Sequence, residues 1–272
     1  MISFDEKKTL EFSKNLRKNI LNMSLSAGAA SSHFGGALSC IDIIAVLFNN
    51  IMNYNKNNFK DISRDRFILS KGHACMSLYS VLRELDIISQ EEMLSFEKSN
   101  SFLLGHPVKN LDKGIELSTG SLGMGLSISM GLALGLKKNK MNSKVYVIIG
   151  DGECNEGSIW EVALSAPKFK LDNLCVILDR NNFQQTGSGK EILDLYPLNE
   201  KWKSFNWDVI EINGHNFNEI FNSITKSSSK PKIIIANTVK GKGFSFSENN
   251  NDWHHKILTK NQYEEAMKEL DK

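Results

Sequence analysis

Two near-continuous apolar runs, each ending in a short polar cluster, constrain the fold of this chain more than any other feature. Val145-Tyr146-Val147-Ile148-Ile149 leads into Gly150-Asp151-Gly152, and Leu174-Cys175-Val176-Ile177-Leu178 leads through Asp179 to Asn181-Asn182. Short runs of this kind, rich in β-branched residues, read as buried strands. Residues 157–170 between them read as a helix with Trp160, Ala163 and Leu164 on one face. A crossover through a helix makes the two strands parallel, so both polar clusters arrive at the same edge of a sheet. A carboxylate (Asp151) and an amide (Asn181) at that edge suit a hard cation such as Mg²⁺, which takes few protein ligands and completes its octahedron with water and phosphate oxygens. Gly150 and Gly152 leave the backbone open to a diphosphate.

The rest of the chain repeats the alternation of strands and amphipathic helices. Residues 5–31 read as a helix burying Leu10, Leu16, Ile20 and Leu21, and residues 38–48 as a second helix before a polar loop at 49–58. A short strand is expected at 66–69, helices at 76–85 and 90–96, and later strands at 207–212 and 232–238. Gly123, Ser127, Gly131 and Gly135 recur every fourth residue in an apolar helix, leaving a smooth strip that another helix can approach, inside the subunit or across an interface. The fold class expected is α/β, a mostly parallel sheet with helices on both faces, and ligands in such folds sit beyond the carboxyl ends of the strands.

Composition excludes several function classes. With 33 Lys+Arg against 31 Asp+Glu, the net charge of +2 gives no field for nucleic acid or an anionic membrane. The four cysteines, Cys40, Cys75, Cys154 and Cys175, have neither disulfide-framework nor zinc-ligand spacing and read as reduced thiols of a cytoplasmic protein. Met1 to Lys18 is polar and charged, unlike a secretory signal, and no apolar stretch is long enough to span a bilayer. Gly187-Ser188-Gly189-Lys190 fails as a phosphate loop because Glu191 follows the lysine, and Asn155 stands where a dinucleotide fingerprint needs its third glycine.

The Gly-Asp-Gly … Asn pattern resembles the thiamine-diphosphate motif, and five further segments resemble the transketolase family in its own order. They are His33-Phe34-Gly35-Gly36, Asp65-Arg66-Phe67-Ile68-Leu69-Ser70-Lys71-Gly72-His73, Gly105-His106-Pro107, Ser118-Thr119-Gly120-Ser121-Leu122-Gly123-Met124-Gly125 and Trp253-His254. The resemblance covers roughly residues 10 to 256. It implies that thiamine diphosphate binds through His73, Gly120, Ser121, Leu122, Gly150, Asp151, Gly152, Glu156, Asn181 and His254. The implied metal set is Asp151, Asn181 and the main-chain carbonyl of Phe183, holding Mg²⁺ with Ca²⁺ or Mn²⁺ as substitutes. His33, His106 and His254 would contact the hydroxyls of the donor sugar, and an imidazole is suited to taking the proton that ketose cleavage releases. Glu156 matches a family glutamate that links paired active sites; on its own it reads as a helix cap near Gly157. His215, His255 and Lys242 receive no role, His255 standing where many relatives carry Gly. Phe34 and Ser121 replace two prolines common in the family.

What the chain lacks is equally informative. A full-length transketolase adds a pyrimidine-binding domain and a C-terminal domain, so residues 1–272 are expected to form a single diphosphate-binding domain, with the other two on a partner chain in an α2β2 assembly. The implied activity is transfer of a two-carbon ketol unit from a ketose or ketose phosphate to an aldose. Two alternatives stand beside it: another thiamine-diphosphate carboligase subunit, deoxyxylulose-phosphate synthase-like or specialised for an unusual sugar, and a catalytically silent cofactor-binding subunit.

Overall fold

The computed structural model describes residues 4–30 and 32–270. Five strands, β1 (Arg66–Leu69), β2 (Val145–Gly150), β3 (Leu174–Arg180), β4 (Asp208–Asn213) and β5 (Lys232–Asn237), form one sheet in the order β1-β2-β3-β5-β4. Every pairing is parallel. The helices are α1 (Glu6–Ala27), α2 (Phe34–Ser39), α3 (Ile41–Val46), α4 (Cys75–Glu84), α5 (Gln90–Leu94), α6 (Met124–Lys138), α7 (Gly157–Lys168), α8 (Gly189–Ile192), α9 (Leu198–Ser204), α10 (Phe217–Thr225) and α11 (Lys260–Leu270).

Alternation along each strand makes two cores, as the apolar runs require of a sheet covered on both sides. Tyr146, Ile148, Cys175, Ile177, Ile234 and Ala236 face α1 to α5, α10 and α11. Val145, Val147, Ile149, Val176, Ile233 and Ile235 face α6, α7 and α9. The register sets Gly150 opposite Asp179 and Arg180 opposite Asn237, so β2, β3 and β5 end level with one another. The expected strand–helix–strand unit is therefore present, with its two polar clusters on one edge. Asp65, at the head of its motif, accepts from the backbone N–H groups of Asn53 (2.9 Å) and Lys144 (2.8 Å) and fixes where β1 enters beside β2.

Several helix expectations need correction. Leu10 is 48 % exposed, because the buried stripe of α1 runs through Thr9, Ser13, Leu16, Arg17, Ile20 and Ser24. The helix ends at Ala27 and a tighter turn spans Gly28–Ala30; the expected end at residue 31 lies outside the described residues. The helix expected over 38–48 is broken at Cys40 (φ −100°, ψ 4°) and then widens into a π-turn at Leu47–Ile51, which takes in the start of the expected loop. Asn49 and Asn50 donate to Thr9 Oγ1 at 3.3 and 2.7 Å, tying that turn to α1. On α7, Ala163 is buried, but Leu164 is 67 % exposed and points away from the core. Among the described residues no helix is long and apolar enough to cross a membrane.

Candidate functional site

At the carboxyl edge of the sheet a cleft of about 510 Å³ opens between the loops that follow β1, β2, β3 and β5. His33, His73, His106, Gly120, Leu122, Gly150, Asp151, Gly152, Glu156, Asn181, Phe183 and His254 all line it. Of the residues expected to bind or act, Ser121 alone is not in the lining; it is exposed at the loop tip. Gly120 is needed where it stands: its φ is +139°, and a Cβ would lie 2.8 Å from the His106 ring. A Cβ on Gly150 would meet nothing nearer than 3.9 Å, while one on Gly152 would come within 3.1 Å of Gln184.

The Asp151 carboxylate accepts N–H bonds from Gly152 (2.9 Å) and Asn182 (2.6 Å), which fix both of its oxygens. Asn181 Oδ1 accepts from Phe183 N–H at 3.1 Å, folding the loop after β3 back on itself. Burial, and then the charge of Asp179, push the Asp151 carboxyl up to about 6. A carboxylate so disfavoured in its charged form is a place where a bound cation relieves electrostatic cost. The donors are oxygen, one of them ionised, and no group of three His, Cys, Asp or Glu side chains gathers as metal ligands among the described residues. That set fits Mg²⁺ with water and phosphate completing the shell, and does not resemble a zinc site.

Beneath this edge lies a charged pair that sequence reading missed. Lys71 and Asp179 form a salt bridge while only 1 % and 0 % exposed, and Asp179 also accepts from Ser39 (2.5 Å) and Thr238. Both carboxylate oxygens thus have donors, the condition under which a buried ion pair is tolerated. The one local signal was a charged residue at the very end of an apolar run.

Glu153 is the second missed residue. It is buried, and it accepts from Ser70, Gly123 N–H (2.8 Å) and Gly150 N–H (3.1 Å), so one carboxylate ties together the loops after β1 and β2 and the start of α6. Glu156, which sequence reading singled out, occupies the cap position of α7 but makes no capping hydrogen bond. It is exposed at the cleft rim, so the expected side-chain cap is absent. Glu191, which ruled out a phosphate loop, closes a capping box with Ser188 at the start of α8.

The histidines converge on His33, whose ring lies 5.5 Å from His73, 5.7 Å from His106, 5.4 Å from His254 and 4.5 Å from His255. His255 thus joins the four histidines expected here. Burial and then the neighbouring His255 hold His33 down to about 3; burial and then Lys240 hold His254 down to about 4. Burial and then Lys71 hold His73 well below its ordinary value. These three imidazoles are neutral at physiological pH. Lys240, also missed from sequence, places its ammonium 3.0 Å from His254 Nδ1 and 2.6 Å from Asn251 Oδ1. An ammonium only donates, so His254 accepts at Nδ1 and carries its proton on Nε2. Phe34 turns into the core against Trp253, at 5.3 Å, and is not part of the cleft lining.

Comparison with known proteins gives this geometry a family. The family model "Transketolase, thiamine diphosphate binding domain" matches residues 13–271. The chain is 41 % identical over 266 residues to an apulose-4-phosphate transketolase subunit of Phocaeicola vulgatus, covering 96 % of this chain and 94 % of the relative. It is 38 % identical over 243 residues to the 6-deoxy-6-sulfo-D-fructose transketolase subunit SqwG of a Clostridium species, covering 88 % of each. The solved transketolase of Campylobacter jejuni superposes with a TM-score of 0.91 at 30 % identity, covering 98 % of this chain and 43 % of that one. Human transketolase, 36 % identical, is likewise matched over only 41 % of its length, so the chain spans well under half of these long relatives. The chain belongs to the transketolase family.

Proposed function

We propose that this chain is the cofactor-holding subunit of a two-component transketolase, transferring a two-carbon ketol unit from a ketose or ketose phosphate to an aldose. The observation that carries this reading is the convergence of Asp151, Asn181 and four histidines, His33, His73, His106 and His254, on one cleft. Relatives named as transketolase subunits are matched here almost end to end. Thiamine diphosphate, when bound, supplies the electron sink for breaking and forming the carbon–carbon bond. Asp151, Asn181 and the carbonyl of Phe183 would hold Mg²⁺, and the metal would neutralise the diphosphate beside Gly150 and Gly152. His73 and the Nε2–H of His254 would donate toward phosphate oxygens, with Gly120 and Leu122 in the same lining.

Proton handling falls to the imidazoles. By the family resemblance His33 and His106 would contact a donor sugar's hydroxyls, and a neutral His33 offers a lone pair for a hydroxyl proton. The single Nε2–H of His254 would be shared between the diphosphate and a substrate oxygen. Glu156, exposed at the rim, is placed to meet a partner subunit. Residues 1–272 act as a single diphosphate-binding domain of a cytoplasmic enzyme, and the pyrimidine-binding and C-terminal domains come from a partner chain in an α2β2 assembly. The four free, buried cysteines agree with a reducing compartment.

Relatives named for apulose 4-phosphate and for 6-deoxy-6-sulfo-D-fructose make a specialised sugar phosphate or a sulfosugar a candidate substrate, beside those of the relatives named simply transketolase. The test is to reconstitute the chain with the C-terminal subunit of a transketolase and compare ketol transfer from xylulose 5-phosphate, a branched ketose phosphate and a sulfonated ketose. Turnover with at least one ketose supports the reading; cofactor binding with no turnover on any supports a silent subunit.

A further inference from the structure

His215, to which the sequence assigned no role, sits between two elements that serve the cleft. Its Nδ1 lies 2.8 Å from Asp42 Oδ2, and its Nε2 lies 2.8 Å from the backbone nitrogen of Val239. A backbone N–H only donates and a carboxylate only accepts, so both contacts are satisfied by a single state of the ring: neutral, with the proton on Nδ1. Asp42 is in turn fixed by Arg17, whose two terminal nitrogens reach its two oxygens at 2.9 and 3.0 Å, and by the Ser13 hydroxyl at 2.6 Å. Burial alone would raise the Asp42 carboxyl, but Arg17 and His215 outweigh it and hold it ionised.

The same carboxylate grips both ends of one short segment. His215 takes the Val239 N–H, while Arg17 Nε donates to the Lys242 carbonyl at 3.2 Å. Between those anchors lies Lys240, which reaches His254 in the cleft. The next turn is shaped around the guanidinium: Gly243 has φ +113°, and a Cβ there would come within 2.6 Å of Arg17 Nε. On the other side of Val239, Thr238 donates to Asp179 of the buried pair. The Lys240 carbonyl accepts from Asn249 N–H (2.9 Å) and Gly241 N–H donates to the Gly35 carbonyl (3.0 Å), so losing the Val239 anchor loosens the residues just before Lys240 and shifts its side chain without releasing the whole segment.

We infer that His215 is a positioning residue: as a neutral imidazole protonated on Nδ1 it fixes the Val239 peptide and so holds the Lys240 ammonium against Nδ1 of His254. The catalytic consequence rests on the ketol-transfer reading; the structural coupling does not. The histidine tautomers of the full-length chain, followed by NMR with isotope-labelled histidine, separate the two. In the wild type His215 should be protonated on Nδ1 and His254 on Nε2. In His215→Leu, and in His215→Ala, which adds no bulk, His254 should lose its single tautomer, as it should in Lys240→Met. Lys240→Met should leave the His215 signals unchanged. His215→Gln, whose side-chain oxygen can still accept from Val239, should restore the wild-type His254 state. In reconstituted enzyme the Leu variant should lose turnover as Lys240→Met does, by up to roughly 10²-fold, the scale of a displaced active-site group, with the Gln variant recovering most of it. A wild-type His215 protonated on Nε2, or a folded Leu or Ala variant with His254 still in one tautomer, would overturn the inference. Normal coupling of the tautomers with no effect on turnover would instead refute the role given to His254.

Discussion

At the scale of single residues, the motifs were legible where chemistry and backbone requirement coincide. Asp151, Asn181 and the histidines stand in segments whose glycines and strand ends could be read directly. Lys71, Asp179, Glu153 and Lys240 could not be read this way, because each acts through partners outside its own segment, from 11 positions away for Lys240 and Asn251 to 108 for Lys71 and Asp179. Nothing in local spacing reports such a pairing; burial and hydrogen-bond satisfaction do. Asp151→Ala should abolish Mg²⁺-dependent binding of thiamine diphosphate in the reconstituted enzyme, and calorimetric affinity equal to wild type in excess Mg²⁺ would reassign the metal. His254→Ala should weaken cofactor binding and lower turnover together, with a rate loss of roughly 10²–10⁴-fold where an acid–base contact is removed. Unchanged steady-state kinetics would shift the role to His255 or to neither.

The depressed histidines also set a pH dependence. His33 is held to about 3 and His254 to about 4, both below the ordinary 6.5, and His73 lies below it too. A group whose folded value is depressed stabilises the fold above its unfolded value, and that contribution is lost as pH falls. Asp151, raised to about 6, has the opposite sign between about 4 and 6, as does Glu153, which burial raises above its ordinary value, but they are two groups against three. The urea midpoint of the isolated chain should therefore fall on going from pH 7 to pH 5. A midpoint that rises would show that these imidazoles are charged in the folded state.

At the scale of elements, strand periodicity carried most of the information, since a sheet covered on both faces leaves few other readings. Helix faces were less legible. Leu10 and Leu164 look like core residues by type, and both turn outward, while the buried stripe of α1 takes polar Thr9, Ser13 and Arg17, the last two of which bind Asp42. The strip of small residues is open only in its later part: a Cβ added at Gly131 or Gly135 would meet no atom within 4 Å, and Met124 and Ile128 on α6 are 48 % and 37 % exposed, whereas Gly123 caps the helix at φ +83° and a Cβ there would collide with Ser158 and Glu156. Gly131→Ala should raise the stability of the isolated chain by about 1 kcal/mol, the ordinary helix preference. If this face meets another helix in the assembly, the same substitution should weaken association with the partner, measured by ultracentrifugation. Unimpaired assembly would return the strip to solvent.

At the scale of the whole molecule, the cleft is open on the side where Glu156 is exposed, and the chain corresponds to 43 % of the Campylobacter jejuni transketolase it superposes on. A cofactor held by its diphosphate here still needs a second surface for its pyrimidine, so the proposed active site forms between chains in a closed assembly. The order of motifs pointed to that need, because the family resemblance assigns every matching segment to the diphosphate end or the donor sugar. The most direct measurement is ketol transfer by a fixed amount of this chain, with thiamine diphosphate and Mg²⁺ in excess, as a C-terminal subunit of about 300 residues, the length of two further domains, is titrated in. No turnover is expected from the chain alone, and activity should rise to saturation at one partner per chain. Robust ketol transfer by the isolated 272-residue chain would contradict the two-component reading.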